Sequence, residues 1–223
     1  MARGRHPTRI HVEPPSAEVS AKYLWYWRGR DLHNASHNFP PLTSIGIFGN
    51  DRALEIDFGC GAGAFACARA RQYPNVNMLG IDLSQKPLFC AVQEAAESNL
   101  ENIKFIRGNF AMMQPLLLPG SVSAAYYLFP NPPRDYLRER ANERRRSFLH
   151  DIYSALIRGG RFYFATDANE FFKCVRDIAR SELLFETHGI ENTDLATHYG
   201  QIWERHGRAV QSFMIEKKYS HIL

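Results

Sequence analysis

The residues able to do chemistry are densest in Leu54-Glu-Ile-Asp-Phe-Gly-Cys-Gly-Ala-Gly63, where an apolar run leads into glycines at every second position. A strand entering Gly59-x-Gly61-x-Gly63, with a helix after it, forms a tight turn whose bare backbone can approach a ligand closely. A ribose held beside such a turn needs a carboxylate at the end of the next strand, where two oxygens accept from both hydroxyls. Asp82 stands 19 residues past Gly63, near the usual distance of about 20, and Leu83 follows it in the same cofactor-binding stretch. Dinucleotide enzymes use a related turn, but here the glycine three residues after the second is missing. Glu55 and Asp57 also direct two carboxylates towards the loop, which repels a pyrophosphate and suits a cation. S-adenosylmethionine carries a sulfonium, an ammonium and no phosphate, so the pattern favours it over a dinucleotide, and a glycine turn that holds no ligand is the remaining reading. Asn109 and Phe110 follow the third apolar run. There the amide can meet an adenine amino group or simply close a Gly-Asn turn, and the sequence leaves both open.

The fourth apolar run ends in Tyr127-Leu-Phe-Pro-Asn-Pro-Pro-Arg134. Ligands of open α/β sheets bind beyond the carboxyl ends of the strands, so this segment should face the glycine loop. Its prolines fix the backbone, and Asn131 offers both a donor and an acceptor to a planar nitrogen heterocycle. Six arginines against three acids between residues 134 and 146 suit phosphate recognition or an ion-paired helical face equally well. Tyr23, Trp25, Tyr26 and Trp27 can stack on a planar substrate, although packing of the N-terminal segment onto the sheet is favoured. His33 and His37 have the spacing of a helical metal pair but no third ligand, so no metal is expected. Ser121 and Ser147 lack a histidine arrangement that would support hydrolase chemistry.

These groups must be positioned by short apolar runs at Ala53–Phe58, Asn77–Asp82, Ile103–Ile106, Val122–Phe129 and Arg161–Thr166. Candidate helices lie between and after them at Ala64–Tyr73, Gln85–Ser98, Arg138–Ile157 and Asn169–Ser181, the third stopped by Gly159-Gly160. Leu184–Glu191 and Val210–Lys217 read as two terminal strands. The alternation predicts an α/β fold: a doubly wound, Rossmann-like sheet closing with a terminal antiparallel strand pair. Residues 1–50 read as a partly irregular N-terminal arm with one short helix over 16–28, and 51–223 as the catalytic domain. At 223 residues with 45% hydrophobic and 22% charged composition the chain suits about one globular domain. No apolar run approaches the roughly 18 residues of a membrane span, and the basic N-terminus has no apolar stretch behind it. Four cysteines without a C-x-x-C pair argue against disulfides and zinc and for the reducing cytoplasm. The net charge of +4 is compatible with a nucleic acid and does not demand one.

The Asn-Pro-Pro segment resembles the motif of amino- and ring-nitrogen methyltransferases. The fuller resemblance, over residues 53–217, is to the bacterial tRNA (guanine-N7)-methyltransferase family, the TrmB-like proteins. It rests on Leu54-Glu-Ile-Asp-Phe-Gly-Cys-Gly, Leu79-Gly-Ile-Asp82, Phe129-Pro-Asn-Pro, Arg144-Arg-Arg146, Phe164-Ala-Thr-Asp167 and Thr197-x-Tyr199. The resemblance implies a class I methyltransferase fold using S-adenosylmethionine. It places Phe129 on the cofactor and Pro130, Asn131, Pro132, Asp167, Thr197 and Tyr199 around the acceptor, with Asn131 in the catalytic position. The family's aspartate after Phe-Pro is Asn131 here, its tryptophan is Pro133, its substrate-binding lysine position holds Asp135, and its Thr-Lys-Phe/Tyr-Glu loop reads Thr197-His-Tyr-Gly200. The cofactor half matches while the acceptor half departs. The expectation is therefore N-methylation of a purine-like small molecule on this scaffold, with tRNA as the alternative substrate. A non-catalytic relative that binds RNA or the cofactor is a third reading, of another class.

Overall fold

The computed structural model describes residues 12–132, 138–183 and 210–218. Fourteen helices and strands of these residues build one mixed sheet with helices on both faces. Helix α1 (Ala17–Tyr23) starts where the Ser16 hydroxyl accepts from the Val19 N–H. It runs into β1 (Leu24–Tyr26), followed by α2 (Gly29–Ala35) and α3 (Ser44–Phe48). The alternating part is β2 (Ala53–Phe58), α4 (Ala64–Gln72), β3 (Val76–Asp82), α5 (Gln85–Glu97), β4 (Ile103–Arg107) and β5 (Val122–Leu128). It closes with α6 (Glu139–Ala155), β6 (Leu156–Thr166), α7 (Asn169–Leu183) and β7 (Gln211–Glu216). The sheet order is β1-β4-β3-β2-β5-β6-β7, all parallel except β7, which runs antiparallel to β6.

Alternation along β2 decides which face each side chain meets. Leu54, Ile56 and Phe58 join the core under α6 and α7, with Leu149, Ile152, Phe171 and Val175. The opposite face packs Phe65, Ala66, Leu88 and Val92 of α4 and α5 against Phe105 and Tyr126. Glu55 and Asp57 therefore point to the α4–α5 side, as neighbours of Ala124 and Tyr126 in the register with β5.

Two expected helices end earlier than the sequence suggests. The helix expected over 16–28 ends at Tyr23, because Leu24–Tyr26 pair with Phe105–Arg107 as an edge strand. Aromatic residues suit that pleated, half-buried surface better than a helix. Helix α6 ends at Ala155, ahead of the glycine pair. Leu156 is already extended, and the buried Lys217 ammonium donates to the Ser154 and Leu156 carbonyls at 2.9 and 2.7 Å. Gly159 and Gly160 lie inside β6 instead, where Gly159 (φ +76°) donates to the Lys217 carbonyl at 2.8 Å. His33 and His37 do not share a helix face, because α2 stops at Ala35 and a 3-10 turn over Ser36–Asn38 follows. The expected strand at Leu184–Glu191 lies outside the described residues, and β7 takes β6 as its partner.

No described helix is long and apolar enough to cross a membrane. Among the described residues no group of three or more His, Cys, Asp or Glu is arranged to hold a metal ion.

Candidate active site

The carboxyl ends of β2, β3, β4 and β5 converge on the glycine turn. Its closure is a backbone matter: the Gly59 and Cys60 N–H groups donate to the Ile81 carbonyl at 2.7 and 3.1 Å. Gly63 (φ +75°) starts α4 so near α5 that a Cβ would come within 2.4 Å of the Ala91 Cβ. Gly61 (φ +56°) is different, since nothing lies within 4 Å of where its Cβ would be. The turn is tight on the protein side and open on the other, leaving room for a ligand against bare backbone.

Asp82 ends β3 directly beside that opening. One carboxylate oxygen accepts the Gly61 N–H at 2.9 Å and the other the Ser84 N–H at 2.7 Å. Both oxygens are thereby oriented and each keeps lone-pair capacity for a diol. Leu83 follows at 60% exposure, a bare apolar surface at the cleft edge.

The two carboxylates of β2 have different fates. Glu55 was expected to face the loop, but it is bound to α4. Arg69 Nε and Nη2 donate to its two oxygens at 2.7 and 2.8 Å, and the Tyr126 hydroxyl donates at 3.0 Å. It is 5% exposed and serves as the acceptor of a buried ion pair, so its charge is spent within the fold. Asp57 is 2% exposed, and no described residue donates a hydrogen bond to it. Burial, with the Asp82 charge adding to it, pushes its carboxyl up to about 8. A buried carboxyl without a donor, beside an open glycine turn, fits a cationic group brought by a ligand. A ligand that brings a diol and a cation and carries no phosphate would fit these features.

Asn109 caps the 3-10 turn after β4, its Oδ1 accepting the Ala111 N–H at 3.1 Å. That is the turn-forming role. Phe110 packs edge-on against Phe58 and Tyr127, 5.6 and 5.8 Å between ring centres. Phe129, at the end of β5, has φ +51° although it is not glycine, and its N–H donates to the Ala165 carbonyl at 2.7 Å. Left-handed backbone at a bulky residue costs on the order of 1–2 kcal/mol and concentrates at functional positions. It turns the chain so that Pro130 is half-buried and Asn131 and Pro132 emerge into solvent. Asp167 is exposed after β6, the strand beside β5, so Asn131 and Asp167 follow adjacent carboxyl ends. Thr197 and Tyr199 lie outside the described residues, as do Pro133, Arg134 and Asp135.

A cleft of about 740 Å³ opens between this end of the sheet, α6 and α7, bounded by Asn109, Phe110, Tyr127, Arg144, Arg145 and Phe148. Burial holds the Tyr127 hydroxyl protonated above its ordinary range. Arg145 lies 5.3 Å from the Phe171 ring centre and donates to the Asn142 side chain. Tyr127 and Phe148 were not singled out from sequence. For Phe148 the signal is the helical spacing of Ala141, Arg145 and Phe148, which puts one face of α6 over the cleft.

Comparison with known proteins is consistent along the chain. Residues 51–213 match the family described as "Putative methyltransferase". A tRNA (guanine-N(7)-)-methyltransferase of Rubrobacter xylanophilus is 36% identical, the alignment covering 92% of this chain and 95% of that protein. Its counterpart in Chloroherpeton thalassium is 32% identical, covering 97% and 98%. Among solved structures, the aminoglycoside resistance methyltransferase NpmB1 superposes with a TM-score of 0.53 at 19% identity, over 74% of this chain and 87% of that one.

Proposed function

The chain belongs to the TrmB-like tRNA (guanine-N7)-methyltransferase family and is an S-adenosylmethionine-dependent methyltransferase, and from that premise we propose that it methylates N7 of a guanine in tRNA. The observation that carries the proposal is the reach of the likeness. It runs nearly end to end through the acceptor half as well as the glycine turn, with relatives named for that reaction. The basic face of α6, with Arg144 and Arg145 at the cleft, adds the positive charge that a polyphosphate substrate requires.

When bound, S-adenosylmethionine supplies a methyl group on a sulfonium that departs as a neutral thioether. The protein's residues then have three tasks. Asp82, oriented by the Gly61 and Ser84 N–H groups, accepts from the ribose hydroxyls. Asp57 meets the cationic end in a buried setting, where a charge pair is strongest. Asn131, delivered by the left-handed turn at Phe129, orients the acceptor ring. Guanine N7 has a free lone pair in the plane of the ring and loses no proton on methylation, so no general base is needed. In-line alignment at near-attack distance does the work, and an amide can hold a ring as well as an aspartate can.

A second reading is methylation of a ring nitrogen in a small, purine-like molecule. It is favoured by one observation, the asparagine at position 131 where the family carries aspartate. Incubation with methyl-labelled S-adenosylmethionine and either an unmodified tRNA pool or a panel of free purines tests both. Label recovered as 7-methylguanosine in tRNA is the expected result; label only in a free heterocycle would replace the first reading by the second.

A further inference from the structure

Tyr26 and Leu83, 47% and 60% exposed, line one cleft of about 540 Å³ beyond the ends of β1, β3 and β4. The cleft exists because β1 extends the sheet. Tyr26 is the register partner of Arg107, and the Trp27 N–H continues the ladder to the Arg107 carbonyl at 3.0 Å. Gly108 permits that approach, since a Cβ there would lie 2.9 Å from the Trp27 carbonyl oxygen. Trp27 is buried, with its ring 5.1 Å from Phe39. The segment is thus anchored by its neighbours, and within the aromatic run Tyr26 alone is turned out to solvent.

One guanidinium flanks this ring, and a second lines the same cleft. Arg107 lies 5.8 Å from the Tyr26 ring centre and donates through Nε to the Leu83 carbonyl at 3.3 Å; exposed Arg28 stands two residues beyond Tyr26 on the same cleft. Asp82 faces its two backbone donors, and Asp31 lies 3.8 Å from Arg30. One exposed aromatic face and two fork-shaped cations on the same cleft are complementary to a base with its phosphate. S-adenosylmethionine has no phosphate to match them.

We propose that Tyr26, Arg28 and Arg107 form a nucleotide subsite for the RNA substrate, where a base other than the methylated one stacks on Tyr26 and its phosphate lies between the two arginines. The proposal rests on the tRNA reading above and deepens it by giving the N-terminal segment a share of substrate binding. Stacking is indifferent to base identity, so the subsite adds affinity and register, while choice of the target guanine lies elsewhere.

The test is tRNA binding by the full chain across a salt series, with S-adenosylmethionine affinity measured by calorimetry on the same preparations. Tyr26→Ala should weaken tRNA binding about tenfold and Tyr26→Phe should restore it, as stacking energies per base imply. Arg28→Ala should flatten the plot of log affinity against log salt by about one phosphate contact. Cofactor affinity should stay within twofold in all three. Wild-type protein that binds and methylates tRNA while Tyr26→Ala binds it equally well overturns the subsite alone. Wild-type protein with no salt-dependent tRNA binding overturns the tRNA reading and the subsite with it. Loss of cofactor affinity in Tyr26→Ala reassigns the cleft to the adenine and also overturns the proposal.

Discussion

Replacement of Asp57 by asparagine should make the cofactor-free protein more stable and bind S-adenosylmethionine less well. The side chain is 2% exposed and its carboxyl is pushed up to about 8 by burial and by Asp82, against 3.8 for an unhindered aspartate. Between those two values the folded protein holds a proton that the unfolded chain has released. Stability therefore falls as pH rises through this window, by at most about 1.4 kcal/mol per pH unit, and levels off above pH 8. From pH 5 to pH 7 the wild type should lose about 3 kcal/mol relative to Asp57→Asn, which has nothing to titrate. At this chain length that is roughly 6–12 °C in melting temperature, so thermal unfolding at several pH values resolves it. The cofactor reverses the balance: its positive end pairs with the ionised carboxylate, so binding releases a proton. Wild-type affinity should then rise between pH 6 and pH 8, while that of Asp57→Asn should be weaker and flat. A variant that melts lower than wild type with an unchanged pH profile would refute the reasoning, because it would mean that Asp57 is ionised in the folded protein.

Asp82→Ala removes the acceptor held by Gly61 and Ser84, and should weaken S-adenosylmethionine binding at least tenfold, about 1.4 kcal/mol, by calorimetry. Asn131→Ala should lower kcat with cofactor affinity nearly unchanged, and on a tRNA substrate Asn131→Asp should keep or raise the rate; three equal rates would make position 131 a structural turn. Gly63→Ala places a methyl group 2.4 Å from the Ala91 Cβ at a φ of +75°, and should cost about 3 kcal/mol of stability in denaturant titration.

The acid two residues before Gly59 and the acid four before it looked equivalent from sequence, since both belong to the same strand and the same face. What separates them is Arg69, which arrives from the second turn of α4 and takes Glu55, leaving Asp57 with no donor among the described residues. Likewise, the end of α6 is decided by Lys217, which caps its carbonyls from the far end of the chain, and local glycine placement pointed two residues too late. The aromatic segment 23–27 has helical neighbours on both sides; its strand identity depends on β4, some eighty positions away.

By itself the sequence determined the glycine turn, the acid at the end of β3 and the alternation that builds a parallel sheet. Each of these depends on periodicity and turn chemistry within a few residues, which the chain carries wherever it folds. Only the tertiary structure decided which carboxylate stays uncompensated, that β1 joins the sheet, and that Tyr26 rather than its aromatic neighbours meets solvent. Those outcomes are set by burial and by partners distant in sequence. A side chain's charge state and exposure follow from what surrounds it, and its own identity leaves that undetermined.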